Sequence, residues 1–282
     1  MNKMPTLVSV NWLADNLPAD NLTIIDGSWY LPTASRDPHK EFLDSHIPGA
    51  VFFDIDAIAD HSTGLPHMMP TEEQFAAALA ELGIDADNQL VVYDGAGLFS
   101  AARVRWMLRV IGAKNVAILN GGMPAWRGAG QAIEEGKSGK SSIAPRKLTI
   151  DYSKIVSLSE MKDIVARGEM QVLDARPAAR FHGQAPEPRP GVRSGHMPNA
   201  ISWPASDVVE NGLLKSNEEL RVLVDEAEID LSGPIVTSCG SGVTAATLLL
   251  ALEQLGHDTG VLYDGSWSEW GGRDDTNVIT DD

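Results

Sequence analysis

The chain has 282 residues, 43% hydrophobic and 22% charged, which is the composition of a globular protein with a substantial core. Its 22 basic and 39 acidic side chains give a net charge of −17, which disfavours nucleic acid and anionic membrane surfaces as partners. Cys239 is the only cysteine, so an intrachain disulfide is excluded and an oxidising compartment is not indicated. The stretch Met1–Leu17 lacks the apolar core of a signal peptide, and no apolar run has the length of a membrane helix, so we expect a cytoplasmic protein.

The chain contains an internal repeat with a period of about 145 residues. His46-Ile-Pro-Gly-Ala50 returns as His196-Met-Pro-Asn-Ala200, and the strand-like segment before Asp94 returns before Cys239. Both halves also carry a capping-box pattern that begins a helix, Thr71 to Gln74 and Ser216 to Glu219. The predicted strands cover 22–26, 90–94, 116–119, 171–174, 235–238 and 260–263, and the predicted helices cover 71–82, 100–111, 158–167, 216–226 and 244–255.

This alternation of strands and helices predicts an α/β fold of tandem duplicated domains, each a mostly parallel sheet flanked by helices. The Gly- and Ser-rich stretch 136–142, followed by Pro145, is typical of a linker. We therefore predict an N-terminal domain at 1–136, a linker at 137–152 and a C-terminal domain at 153–282.

Cys239 opens a glycine-rich turn, Cys-Gly-Ser-Gly-Val-Thr-Ala, between a predicted strand and a predicted helix. Backbone N–H groups converge on such a turn and the helix dipole is positive there, so both favour the thiolate over the thiol. The alternative is a small apolar core cysteine, but glycines at 240 and 242 expose backbone rather than fill a core. Asp94 holds the repeat-equivalent position, so we expect only the C-terminal domain to be catalytic.

Three familiar cysteine chemistries fit this loop poorly. A phosphatase loop of the Cys-x5-Arg type needs an arginine where Ala245 stands, and a thioredoxin-type exchange needs a second cysteine. A cysteine protease needs a histidine base, for which His46, His196 and His257 are available, but the duplicated α/β layout fits that class poorly. What remains is a thiolate cradled by backbone N–H groups and suited to carrying a second sulfur as a persulfide.

The loop after Cys239, the duplicated layout and the two His-x-Pro-x-Ala motifs resemble the two-domain rhodanese superfamily of sulfurtransferases. The resemblance extends from Trp12 to Trp270. The thiosulfate branch typically places basic residues directly after the cysteine, whereas the neutral Gly240 and Ser241 resemble the 3-mercaptopyruvate branch. The resemblance implies transfer of sulfur from 3-mercaptopyruvate through a Cys239 persulfide to cyanide, a small thiol or a thioredoxin-like protein, with release of pyruvate and without a cofactor or a metal.

The same resemblance implies the site residues. Cys239 is the expected nucleophile, and Ser241 is the expected proton donor to the pyruvate enolate. Two arginines before the second His-x-Pro-x-Ala motif fall on the family's substrate arginines, and their planar guanidinium groups suit a carboxylate beside a ketone. The expected substrate-binding residues are Arg180, Arg189, Gly240, Gly242, Val243 and Thr244.

The resemblance also suggests that Asp37 and His46 complete a relay behind Cys239 and Ser241. We favour the alternative that the histidine of each His-x-Pro-x-Ala motif bonds backbone in a structural turn. His61 and His67 flank a turn with no cysteine or carboxylate at metal-ligand spacing, so we expect a solvated loop there.

Arg176 is nearer the strand end than the two substrate arginines, and we expect it to be structural. Trp267 and Trp270 are expected either to wall the site or to pack in the core.

Two other functions stay open. A thiosulfate sulfurtransferase of the same fold is separated by comparing turnover of the two sulfur donors. A non-catalytic rhodanese-like binding module is separated by the absence of a mass increase of one sulfur after exposure to donor.

Overall fold

The structure, a computed structural model, describes residues 4–17 and 19–281, and its contacts divide the chain into two units. Unit 1 comprises Met1–Ala59, Pro70–Asp151 and Asn211–Leu214, and unit 2 comprises Asp60–Met69, Tyr152–Glu210 and Lys215–Asp282. In the part of the chain that the structure describes, no helix combines the length and the apolar character needed to cross a bilayer.

Unit 1 contains a parallel sheet. Its strands are β1 (Leu7–Val8), β2 (Leu22–Asp26), β3 (Val51–Phe52), β4 (Gln89–Tyr93) and β5 (Val116–Leu119), and among the described residues they lie in the order β1-β5-β4-β2-β3. The helices of the unit are α1 (Val10–Asn16), α2 (Pro38–Asp44), α3 (Ile55–Ile58), α4 (Glu72–Glu81), α5 (Ala101–Val110) and α6 (Gly122–Gly128). A short 3-10 helix covers Pro32–Ala34.

Both faces of this sheet are buried, as expected for parallel strands. On one face, strand residues such as Val91 and Tyr93 pack in a cluster with Leu13, Phe42 and Trp126 from the helices. The strand residues that alternate with them point to the other face, and they are also fully buried. Helices on two faces follow from this pattern.

Unit 2 repeats the arrangement. Its strands are β6 (Ile155–Val156), β7 (Gln171–Asp174), β8 (Ala200–Ser202), β9 (Val209–Glu210), β11 (Ile235–Ser238) and β12 (Val261–Tyr263), and Leu213–Leu214, which belongs to unit 1, is β10. Within the described residues its main sheet is parallel, in the order β6-β12-β11-β7-β8. The helices are α7 (Leu158–Arg167), α8 (Ala178–Phe181), α9 (Ala205–Val208), α10 (Asn217–Glu226), α11 (Ala245–Gln254) and α12 (Ser266–Trp270), and a 3-10 helix covers Tyr152–Lys154.

The two sheets share one strand order, which confirms the predicted duplication. In each sheet an aspartate ends the strand beside the one that leads to the glycine-rich loop: Asp26 pairs with Tyr93, and Asp174 pairs with Ser238. This register brings the glycine-rich loop and the residues after Asp26 or Asp174 to the same edge of each sheet. That edge is the carboxyl edge, where parallel sheets place their sites.

The predicted strands and helices are confirmed to within one residue at each end. Both predicted capping boxes form, with Thr71 and Ser216 as N-caps. The elements that sequence analysis missed are short, and they include β1, β3, β6 and β8, which have two or three residues each. Segments of that length carry too little periodicity to be recognised.

The two His-x-Pro-x-Ala motifs form matching turns, as favoured in the sequence analysis. In each turn the fourth residue has positive φ, +74° at Gly49 and +60° at Asn199. The His46 Nδ1–H donates to the carbonyl of Phe42 (2.7 Å), and its ring stacks on Phe42 at 4.0 Å between centroids. His196 repeats both contacts with Phe181.

The predicted domain boundaries differ from the division that the contacts make. Most of the predicted linker lies on unit 1: the Ile143 N–H donates to the carbonyl of Ala80, and the Asp151 N–H donates to that of Val110. Conversely, residues 60–69 belong to unit 2, although they lie within the predicted N-terminal domain. The sequence gives no signal that residues 60–69 belong to unit 2, because the contacts that place them there join residues far apart in the chain.

Candidate active site

Cys239 follows β11 directly and is buried, with 2% of its surface exposed. The carbonyls of the loop are bound by α12: the Trp267 N–H donates to Cys239 O and the Ser268 N–H to Gly240 O, both at 2.9 Å. Gly242 has φ +78°, which lets the chain reverse before α11 begins. Because α12 binds the carbonyls of the loop, the loop can direct its N–H groups toward its own centre, beside Cys239.

The equivalent loop of unit 1 shows what such a loop binds. There the Asp94 carboxylate lies at the loop's centre, fully buried, and accepts four backbone N–H groups. Its Oδ1 accepts from Ala96 at 2.9 Å, and its Oδ2 accepts from Phe99, Ser100 and Ala101 at 2.8 to 2.9 Å. The loop is therefore an anion cradle, which unit 1 fills with its own carboxylate.

In unit 2 the cradle is open. Among the described residues, the backbone N–H groups of Ser241, Val243 and Thr244 have no acceptor in the protein. Thr244 is the N-cap of α11 but makes no capping bond with its side chain. An anionic sulfur carried on Cys239 would supply the acceptor that Asp94 supplies in unit 1. Val243 and Thr244 are among the residues expected to offer backbone N–H groups, whereas Ser241 was expected only as a proton donor.

Ser241 is joined to His67 by a hydrogen bond of 2.8 Å between Oγ and Nδ1, and both side chains are buried. His67 has φ +60°, an uncommon conformation for a side chain of this size. The segment is held in unit 2 by the Met69 N–H, which donates to Asp264 Oδ2 at 2.7 Å. The expectation of a solvated loop at His67 was therefore wrong, whereas His61 is exposed.

His67 was missed because it lies outside the motifs that the two halves share. Its bond partner lies 174 residues further along the chain. The relay predicted for Asp37 and His46 finds no support in their contacts. Asp37 is an exposed N-cap of α2 and accepts from the Lys40 N–H, and His46 is fully buried against Phe42 in unit 1.

Arg180 and Arg189 both lie over the loop. A Cβ built on Gly240 would lie 3.3 Å from Arg180 Nη2 and 3.8 Å from Arg189 Nη1. The absence of a side chain at Gly240 therefore lets two guanidinium groups approach the backbone beside Cys239. This arrangement places two planar cations next to Cys239, and planar guanidinium groups are suited to binding a carboxylate.

A buried charge cluster positions Arg180. Its guanidinium binds both oxygens of the Glu187 carboxylate, and Glu187 Oε1 also accepts from Arg176 Nη1 at 2.8 Å. Arg176 is almost completely buried, makes three hydrogen bonds to the Asp174 carboxylate through Nε and Nη2, and lies 4.1 Å above the Trp267 ring. Burial opposes its charge, but Asp174 and Glu187 outweigh burial and raise the pKa of Arg176. Arg176 is structural, as expected.

Trp267 and Trp270 are core residues, with 0% and 2% of their surfaces exposed. Of the two expectations, core packing is therefore what the structure shows, and Trp267 also holds the loop through its backbone N–H.

The family model of the rhodanese-like domain matches residues 9–129 and 157–273, which is most of the chain. The chain therefore belongs to the rhodanese-like family, with one copy of the domain in each half. The resemblance noted in the sequence is confirmed.

The chain is also similar to individual proteins over most of its length. The chain is 42% identical over 276 residues to the 3-mercaptopyruvate sulfurtransferase of Escherichia coli (strain K12), covering 96% of each. It is 44% identical over 294 residues to thiosulfate/3-mercaptopyruvate sulfurtransferase 1, mitochondrial, of Arabidopsis thaliana, covering 96% of this chain and 77% of that one. The crystal structure of SseA from Escherichia coli matches with a TM-score of 0.86 at 40% identity, over 94% of this chain and 100% of that one. Tum1 from Saccharomyces cerevisiae matches with a TM-score of 0.90 at 31% identity, over 99% of both chains.

The cradle makes a prediction for unit 1. Asp94→Ala leaves four N–H groups without an acceptor, two of them in buried bonds, so we expect the free energy of unfolding of this unit to fall by about 3 kcal/mol. Urea unfolding followed by circular dichroism measures the change. The exposed Asp20→Ala is the control, with a change within about 0.5 kcal/mol. Equal stability of the two variants would contradict the cradle interpretation.

Proposed function

We propose that this chain is a sulfurtransferase that takes sulfur from 3-mercaptopyruvate onto Cys239 as a persulfide, releases pyruvate and passes the sulfur to an acceptor. The observation that carries the proposal is the open anion cradle around Cys239 with Arg180 and Arg189 over its first glycine. The relatives named as 3-mercaptopyruvate sulfurtransferases support it.

The first step is nucleophilic attack at sulfur. The ionised Sγ of Cys239 attacks the thiol sulfur of the substrate, the sulfur–carbon bond breaks, and its electron pair leaves on the enolate of pyruvate. Arg180 and Arg189 hold the carboxylate and stabilise the charge that develops on the neighbouring oxygen. The N–H groups of the cradle donate to the new sulfur anion, as the equivalent groups of unit 1 donate to the Asp94 carboxylate.

The second step moves one proton. The transferred sulfur arrives as a thiol and remains as an ionised persulfide, while the enolate carbon gains a proton and becomes the methyl group of pyruvate. The Ser241 hydroxyl, bonded to His67, can deliver that proton and be reprotonated through the imidazole. The proton released by sulfur equals the proton taken up by carbon, so the step balances without another reactant.

The alternative of a thiosulfate sulfurtransferase draws on the Arabidopsis relative, whose name includes both donors. Thiosulfate leaves as sulfite and needs no proton on carbon, so the Ser241–His67 pair has no task in that reaction. The buried hydrogen bond between these two side chains therefore favours 3-mercaptopyruvate.

We propose cyanide, a small thiol or a thioredoxin-like protein as the acceptor, because each offers a nucleophile that can attack the outer sulfur. The cytoplasm remains our proposed compartment on the strength of composition, although one relative is named as mitochondrial.

Cys239→Ser tests the nucleophile. Oxygen cannot form the persulfide and the change in volume is small, so we expect a folded protein without sulfur transfer. Wild-type protein incubated with 3-mercaptopyruvate and no acceptor should gain the mass of one sulfur atom, which intact-protein mass spectrometry detects. A wild-type protein that never gains this mass would point to the non-catalytic binding module.

The two arginines determine the choice of donor. Arg180→Ala or Arg189→Ala removes a charge-assisted bond to the carboxylate, so kcat/KM for 3-mercaptopyruvate should fall by about 10- to 100-fold. Thiosulfate, which has no carboxylate, should lose much less. Replacing Gly240 and Ser241 by Arg and Lys should favour thiosulfate instead. Equal losses with both donors would remove the basis for assigning 3-mercaptopyruvate.

His67 separates the two reactions by their proton requirement. His67→Gln should lower kcat for 3-mercaptopyruvate by about 100-fold or more, because a proton relay typically contributes that much, while thiosulfate turnover changes little. His61→Gln, six residues away and exposed, is the matched control and should retain kcat. Normal 3-mercaptopyruvate turnover by His67→Gln would exclude His67 from the proton path.

A further inference from the structure

Unit 1 has a cavity of about 480 Å³ at the carboxyl edge of its sheet, the edge that carries the nucleophile in unit 2. The cavity is lined by Asp26, Ser28, Arg36, Glu41, Phe42, Asp44, Ser45, Gly95, Met123, Pro124 and Arg127. All of these residues belong to unit 1. A volume of this size accommodates a small organic molecule.

Part of the arrangement beside the loop is the same in the two units. A Cβ built on Gly95 would lie 3.3 Å from Arg36 Nη2. A Cβ built on Gly240 would lie at the same distance from Arg180 Nη2. Arg36 binds both oxygens of Glu41, as Arg180 binds both oxygens of Glu187. Arg36 and Glu41 therefore hold the places of the arginine and the glutamate of unit 2.

The counterpart of Arg176 is missing. Asp26 and Asp174 end equivalent strands, and each accepts the backbone N–H of the residue two positions later at 2.9 Å. That residue is Arg176 in unit 2 but Ser28 in unit 1. Among the described residues, no Lys or Arg nitrogen lies within 4 Å of the Asp26 carboxylate, although Asp26 is only 5% exposed.

A second polar group is also left over. In unit 2 the Arg176 guanidinium donates to the carbonyl of Gly195, the residue before His196. In unit 1 the residue before His46 is Ser45, which lines the cavity. Its Oγ is buried and, among the described residues, has no hydrogen-bond partner. A buried hydroxyl without a partner is costly, and it marks this edge of unit 1 as incompletely paired.

The mouth of the cavity carries the opposite charge. Arg127, in the last turn of α6, lines the cavity and makes no hydrogen bond or ion pair within the described residues. An exposed arginine of this kind can bind a carboxylate at two points. The cavity therefore has the buried Asp26 carboxylate and the exposed Arg127 guanidinium in its lining.

We propose that this cavity is a second, non-catalytic binding site that takes the guanidinium group of a free amino acid, for which L-arginine is the simplest ligand. The guanidinium takes the role that Arg176 has in unit 2 and donates to the Asp26 carboxylate. The α-carboxylate of the ligand pairs with Arg127. The site is independent of sulfur transfer, because unit 1 carries Asp94 in place of a nucleophile.

Binding should depend on pH in a defined direction. Burial raises the pKa of Asp26 to about 6, against the lowering effect of its bonds with Ser28. The other titratable or charged groups around it are Tyr93, Asp94, Arg36, Glu41, Asp44 and Arg127. The cation requires the ionised carboxylate, so affinity should be full above this pKa and weaken as the pH falls through it.

Isothermal titration calorimetry of the full chain with L-arginine tests the proposal, and L-citrulline is the matched uncharged ligand. We expect one L-arginine per chain and at least about tenfold weaker binding of citrulline, because a charged hydrogen-bonded pair is lost. Agmatine, which has the guanidinium but no carboxylate, should also bind more weakly than L-arginine. Agmatine binding as tightly as L-arginine would overturn the free amino acid and assign the site to an arginine side chain of a peptide.

Two variants check the location. Asp26→Asn retains an acceptor for the Ser28 N–H and removes the buried charge, so it should fold and bind L-arginine at least about tenfold more weakly. Ser28→Arg should fill the cavity with its own guanidinium, raise Tm and abolish binding. Asp20→Asn, exposed in the same unit, should bind as the wild type does. No binding by wild-type protein, or undiminished binding by folded Asp26→Asn, overturns the proposal.

Discussion

The organising constraint in each unit is a loop whose backbone N–H groups converge after a parallel strand and require an anion at their centre. Unit 1 meets this requirement permanently with the Asp94 carboxylate. Unit 2 has Cys239 at the same place. The cysteine side chain is one atom shorter than that of an aspartate, and a second sulfur would make up this length. The chemistry proposed for Cys239 follows from this difference, because a persulfide anion completes the cradle that the thiol alone leaves open.

Sequence reasoning succeeded where the signal was local or repeated. The strands around Asp94 and Cys239 were recognisable from short apolar runs beside glycine-rich turns, and the duplication supplied each assignment twice. It failed at His67, which pairs with Ser241 across 174 residues and has no equivalent in the other half. His46 was the more visible histidine because its motif is repeated, yet repetition reflected a shared turn in both units rather than a shared role in chemistry.

The buried charges of unit 2 hold Arg180 beside the loop. Asp174, Arg176 and Glu187 form an almost completely buried chain of ion pairs that ends at Arg180, beside the loop. Such a chain contributes little net stability, because desolvation offsets much of the attraction, but removing one member leaves an uncompensated charge. This chain of ion pairs positions Arg180. Glu187 holds the Arg180 guanidinium through Nε and Nη2, so the remaining edge of the guanidinium has one orientation.

Unit 1 shows what happens when such a chain loses one member. Unit 1 retains an arginine held by a glutamate beside its loop, Arg36 with Glu41, but Ser28 stands where unit 2 has Arg176. The exchange leaves Asp26 buried without a cation, which raises its pKa to about 6, and leaves the Ser45 hydroxyl without a partner. A buried carboxylate without a cation is unfavourable, and a cation that pairs with Asp26 in the cavity would stabilise the folded unit. The proposed cation site therefore follows from one difference between the two units, Ser28 in the place of Arg176.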